Sequence, residues 1–169
     1  FPLDRPTVVA PAEAGRFLAR FAPALATWPL GLLAALLDQP PQLPDRARLE
    51  LDLIDGGLGV RITLGVGADW VEAPAVARAR RADEGLMLLA TTVIDPTVAG
   101  WGWLDRLSWR PDGAVHLTPI EVCRLCHQLP EQLELVGEPE AIAAFERLST
   151  LTAETGPPEA EMLGLSLYD

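Results

Sequence analysis

Both cysteines of the chain and one of its two histidines fall in a single short stretch, Cys123-Arg124-Leu125-Cys126-His127. C-x-x-C-H is the spacing at which a haem can be attached through two thioethers and ligated by the histidine that follows. Without the histidine it is the spacing of a redox dithiol or of half a zinc site. On a helix the three residues stand at i, i+3 and i+4, so two thiols and an imidazole share one face. A zinc ion would need a fourth ligand, and His116 or Glu121 could supply it. A six-coordinate haem iron would draw on Met87, Met162 or His116. A reactive dithiol needs an exposed thiol of low pKa close to a helix N-terminus, and Cys123 lies about one turn from the expected start of its helix. The plainer alternative is that both cysteines are small apolar residues packed with Ile120, Val122 and Leu129. We read them that way, without a cofactor. The alternative is a redox or c-type haem protein centred on Cys123, Cys126 and His127, with haem c or zinc as the group they would hold.

A second group of residues is suited to contact rather than chemistry. Trp101-Gly102-Trp103 and Trp109 are interleaved with Arg106 and Arg110, just ahead of a tight turn at Pro111-Asp112-Gly113. Exposed tryptophans and arginines anchor protein contacts. Trp101, Trp103, Trp109, Arg106 and Arg110 are therefore the expected partner-facing patch, with Trp103 as its anchor. The competing expectation is that the rings are buried, as large aromatic side chains commonly are. Arg78, Arg80 and Arg81 form a basic cluster able to take a phosphate or carboxylate, but Asp83 and Glu84 beside it suit a solvated helix face better. Gly65-Val66-Gly67 lacks the third glycine and the following helix of a dinucleotide loop. Ser108, Ser149 and Ser166 have no glycines placed to make a nucleophile elbow. No catalytic set assembles from these pieces.

Charge and composition narrow the partners. The chain has 169 residues, 13 of them basic and 24 acidic, for a net charge of −11. Every basic residue is arginine; lysine and asparagine are both absent. That bias, with abundant Ala, Leu, Pro and Arg, is the mark of GC-rich coding and points to a bacterial source. It also removes any N-glycosylation acceptor. A surface of this sign repels phosphate backbones, so nucleic acid is not the expected partner. A neutral or basic protein is. The longest uncharged run, Phe21 to Leu37, contains Pro23 and Pro29 and falls short of the ~20 residues that span a bilayer, so no membrane insertion is expected. The expected compartment is the cytoplasm, or the periplasm if an export signal was removed before Phe1.

These residues must be positioned by a fold, and the hydrophobic pattern indicates its elements. Pro2, Pro6 and Pro11 make the start extended. Helices are expected from about Glu13 to Phe21 and from Thr27 through Leu37, followed by a connector over Gln39 to Asp45. Leu49, Leu51 and Leu53 alternate with Glu50 and Asp52, and Leu58, Val60, Ile62, Leu64 and Val66 alternate with small or polar residues. Asp55-Gly56-Gly57 joins the two runs as a hairpin with one buried face, Leu51 and Ile62 inward, Glu50 and Arg61 outward. Pro74 starts a short helix to Arg81. Leu86 to Ile94 reads as a strand covered on both faces. Leu107 to Trp109 and Ala114 to Leu117 form a second expected hairpin. Thr118-Pro119-Ile120-Glu121 opens a capped helix that carries the cysteines and stops at Pro130. Leu133 to Val136 is a strand, and Pro139 opens a helix with Ile142, Phe145 and Leu148 inward.

The expected architecture is a single α+β domain over residues 1–155, with a largely antiparallel or mixed sheet and helices packed on it. Residues 156–169 form a tail, with Leu163, Leu165 and Leu167 suited to docking as an edge strand. A chain with a core but no catalytic set is expected to act by contact, as a non-catalytic accessory, adaptor or chaperone-like subunit.

Overall fold

The computed structural model describes residues 7–9, 42–83, 86–90 and 92–155. The expected helices before Leu37, most of the proline-rich connector and the tail lie outside them. The described elements are those of an α+β protein with a mixed sheet. They gather into two compact units, one holding Thr63–Leu107 and the other holding Arg46–Ile62 with the chain from Ser108 onward.

The second unit is built on the expected hairpin. Strand β2 (Arg46–Ile54) and strand β3 (Gly57–Val66) are joined by a turn in which Gly56 takes a φ of 79°, a left-handed conformation that glycine adopts without steric cost. Side chains alternate as expected: Ala47, Leu49, Leu51 and Ile62 are buried, while Glu50 and Arg61 point out. Strand β7 (Val115–Leu117) pairs antiparallel with β3, setting Val60 opposite Val115 and Leu58 opposite Leu117. The second hairpin therefore differs from expectation. The chain does reverse at Pro111–Gly113, with Gly113 N–H donating to the Arg110 carbonyl at 2.9 Å. The returning strand, however, finds its partner in β3 and not in Leu107–Trp109. Gly57 leaves room for this approach, because a Cβ there would fall on the backbone carbonyl of Leu117.

Thr118 caps helix α2 (Pro119–Cys126): its hydroxyl accepts from Glu121 N–H at 3.4 Å, and the Glu121 carboxylate accepts from Thr118 N–H at 2.7 Å. Strand β8 (Gln132–Gly137) runs parallel to β2, Arg46 opposite Gln132 through Leu51 opposite Gly137. At Gly137, φ is 128° and a Cβ would meet the Leu51 carbonyl, so only glycine lets the chain close onto β2 before turning into the last helix. That helix, α3 (Pro139–Thr155), packs against β2, β8 and α2.

In the first unit, the end of β3 forms a hairpin with β4 (Asp69–Glu72) around Gly67, which leads directly into helix α1 (Ala73–Ala82). The expected strand from Leu86 to Ile94 is instead two short strands, β5 (Leu86–Leu88) and β6 (Val93–Ile94), paired antiparallel with Met87 opposite Ile94. A turn closes between them through Leu89 N–H and the Thr92 carbonyl at 2.8 Å. The apolar run hid the break because Ala90 and the threonines after it are weakly polar and compatible with strand or turn. Strand β1 (Thr7–Val9) adds to the other side of β5, in line with the extended start expected from the prolines. A 3-10 segment, Ala99–Arg106, follows. No helix of the described residues is long and apolar enough to cross a membrane.

Candidate functional site

The C-x-x-C-H motif falls where the capping box places it, but its three side chains are used differently. Cys123 and Cys126 lie half-buried on α2, and both are free thiols. Both are turned towards α3: Cys123 Sγ is 3.9 Å from the Leu148 carbonyl, and Cys126 interacts with Ser149. Burial pushes the Cys126 thiol above its ordinary range; the Ser149 hydrogen bond works against that shift and the neighbouring Cys123 adds to it. A thiol kept protonated is a poor nucleophile. His127 is the C-cap residue, exposed at the end of the helix. The Glu121 carboxylate is engaged in the helix cap, and His116 sits on β7 with Nδ1 3.4 Å from an Arg110 nitrogen. Among the described residues, no three His, Cys, Asp or Glu side chains gather closely enough to hold a metal ion.

The expected tryptophan patch is not assembled either. Trp101 is 0% exposed and Trp103 8%, so neither ring can anchor a partner. The 3-10 turns over Ala99–Arg106 direct these rings inward, a conformation that the Trp-Gly-Trp spacing does not reveal. Trp109 is half-buried, and Arg106 and Arg110 are exposed. Of the basic cluster on α1, Arg80 has a structural task. Its guanidinium, 15% exposed, reaches the Asp105 carboxylate at 3.0 Å and donates to the Pro96 and Val98 carbonyls, tying α1 to the 3-10 segment. That fork is already paired with a carboxylate and two carbonyls, which leaves it poorly placed to take an anion.

The described surface with the clearest capacity for contact lies elsewhere in the second unit. Along one flank of α3, Glu140, Ala143, Ala144, Arg147, Thr150, Leu151 and Glu154 recur at three- and four-residue intervals and so lie on one stripe. Together with Leu53 and Glu146 they line an open groove of about 780 Å³. Leu53 is 43% exposed and Leu151 51%, among the most exposed large apolar side chains described. Leu53 breaks the inward alternation of β2 for a structural reason. The pairing with β8 ends at Leu51 opposite Gly137, so the next leucine on that face passes beyond the end of β8 and stands beside α3.

No known family model, curated protein or solved structure matches this chain. The groove must therefore be judged on its own chemistry. Its floor is apolar, and its rim sets three carboxylates, Glu140, Glu146 and Glu154, against one guanidinium, Arg147.

The sequence held one signal for this site. Ile142, Phe145, Leu148 and Leu151 repeat every three residues, and each such step turns back by about 60° on a helix of 3.6 residues per turn. Phe145 is buried, Ile142 and Leu148 are half-buried, and Leu151 has rotated out onto the flank. The spacing shows that such a row cannot stay on one buried face, and here it is Leu151 that leaves it.

Proposed function

We propose that the protein is a non-catalytic binding subunit, an accessory, adaptor or chaperone-like protein, and that it takes its partner on the groove between Leu53 and the flank of α3. The observation that carries this is the pair of leucines, each about half exposed, in one groove of the second unit. Leaving such side chains in water forgoes roughly 1 kcal/mol or more apiece, a cost that a partner covering them would recover. The partner is a protein, neutral or basic in charge, because both the groove rim and the whole chain are acidic. Two free cysteines at i and i+3 suit a reducing compartment, which supports the cytoplasm as the place of action.

Photo-cross-linking tests this reading. A benzophenone side chain placed at position 151 in the gene's own host should trap one discrete protein, and the trapped band should vanish when Leu53→Glu is added. Equal trapping from a benzophenone at Arg61, whose neighbours are Glu50 and Asp112, would count against the groove.

A further inference from the structure

We propose that the partner element seated in this groove is a cationic amphipathic helix of about four turns, an inference that rests on the binding role assigned above. Length is the first reason. From Glu140 to Glu154 the stripe rises about 21 Å, the length of roughly fourteen helical residues. An open stripe of that length along a helix flank is a setting in which another helix can lay down an apolar face through anchors at i, i+3, i+4 and i+7.

The groove wall favours a helix over an extended segment. Most of its length is α3, whose mid-helix N–H and C=O groups are bonded within the helix. An extended peptide would find no ladder to join there and would leave its own backbone groups against an apolar floor. A helix satisfies its backbone internally and presents only side chains. Ala143 and Ala144 lie about a quarter of the way along the stripe, where small side chains allow two helix axes to come near the lower end of the usual 8–10 Å separation.

Charge selects among the helices that could lie there. With three carboxylates against one guanidinium, the rim attracts arginine or lysine on the flanks of the incoming helix. A second copy of the chain is disfavoured. Antiparallel pairing about Arg147 would set Glu140 against Glu154 and Arg147 against itself, and parallel pairing would oppose each residue to its own copy. The chain's own residues 156–169 carry Glu159, Glu161 and Asp169 and no basic side chain, so they lack the complementary charge as well.

The test uses the full chain and two synthetic helical peptides of about sixteen residues. Both carry leucines at i, i+3, i+4 and i+7; one has arginine on the flanking positions and the other glutamate. Binding is followed by fluorescence anisotropy at low and high salt. The arginine peptide should bind at least tenfold more tightly than the glutamate peptide and should weaken as salt rises. Glu154→Arg, at an exposed position, should reduce that preference several-fold, whereas Arg147→Glu should increase it. Equal binding of the two peptides, binding of neither, or self-association of the chain that is abolished by Leu151→Glu would each overturn the proposal. The two levels separate cleanly: a protein trapped from position 151 while the arginine peptide fails to bind refutes the cationic helix alone, and loss of trapping refutes the binding role itself.

Discussion

The backbone N–H of Leu53 donates to the Glu138 carboxylate at 3.2 Å, while Glu138 N–H donates to the Leu51 carbonyl, also at 3.2 Å. Glu138, the residue that precedes α3, thus fastens the end of β2 to the start of that helix, and this fastening holds Leu53 beside the helix flank. Replacing Glu138 by Ala should cost about 1 kcal/mol of stability and speed exchange of the Leu53 amide in native-state hydrogen exchange. Glu138→Gln keeps an acceptor oxygen and should retain most of the protection. Unchanged exchange in the alanine variant would show that the carboxylate does not hold the strand end.

The β2–β3 hairpin provides a second test. Ile62 is 2% exposed, whereas Arg61 points outward, 3.6 Å from Glu50 and 4.0 Å from Asp112. Ile62→Asp places a carboxylate in the core and should abolish cooperative thermal unfolding, a loss of more than about 4 kcal/mol. Arg61→Ala removes only solvent-exposed ion pairs and should change stability by less than about 1 kcal/mol. Similar tolerance of the two would mean that the facing of β3 is wrong.

Cys126 gives a pH dependence whose sign can be stated. Burial raises its folded-state pKa above the ordinary value of 9.0, so the folded state holds the thiol proton to higher pH than the unfolded state does. Its contribution is fully present below about pH 9 and is lost as pH rises through the folded pKa. Urea unfolding of the native protein should therefore weaken above pH 9 more steeply than that of Cys126→Ala. Parallel curves for the two proteins would contradict a buried, protonated thiol.

Local chemistry made much of the second unit legible in the sequence. The alternation in β2 and β3, the Thr118–Glu121 capping box and the prolines at 119 and 139 act over a few residues, and both helices begin where their signals stand. Pairings set by distant segments were not legible in the same way. That β7 would choose β3 over Leu107–Trp109, and that β8 would run parallel to β2, depends on which surfaces meet after collapse. The burial of Trp101 and Trp103 was not legible because residue type marks a side chain as able to anchor contact but does not say which way a 3-10 turn aims it. The groove escaped notice because it draws on Leu53 and on residues of α3 more than eighty positions later, which become neighbours only through the β2–β8 ladder.

In the proposed role the flank of α3, and not the C-x-x-C-H motif, is the working surface. The most direct test measures binding of the trapped partner by two double variants of the full chain. Leu53→Glu with Leu151→Glu alters exposed side chains only, so it should leave the thermal midpoint nearly unchanged and weaken binding by at least about tenfold, or ~1.4 kcal/mol. Cys123→Ser with Cys126→Ser exchanges half-buried sulfurs for hydroxyls, so it should cost about 1–2 kcal/mol of stability and leave affinity intact. The opposite outcome, full affinity in the leucine variant and loss of binding in the cysteine variant, would contradict the account and return the function to Cys123, Cys126 and His127.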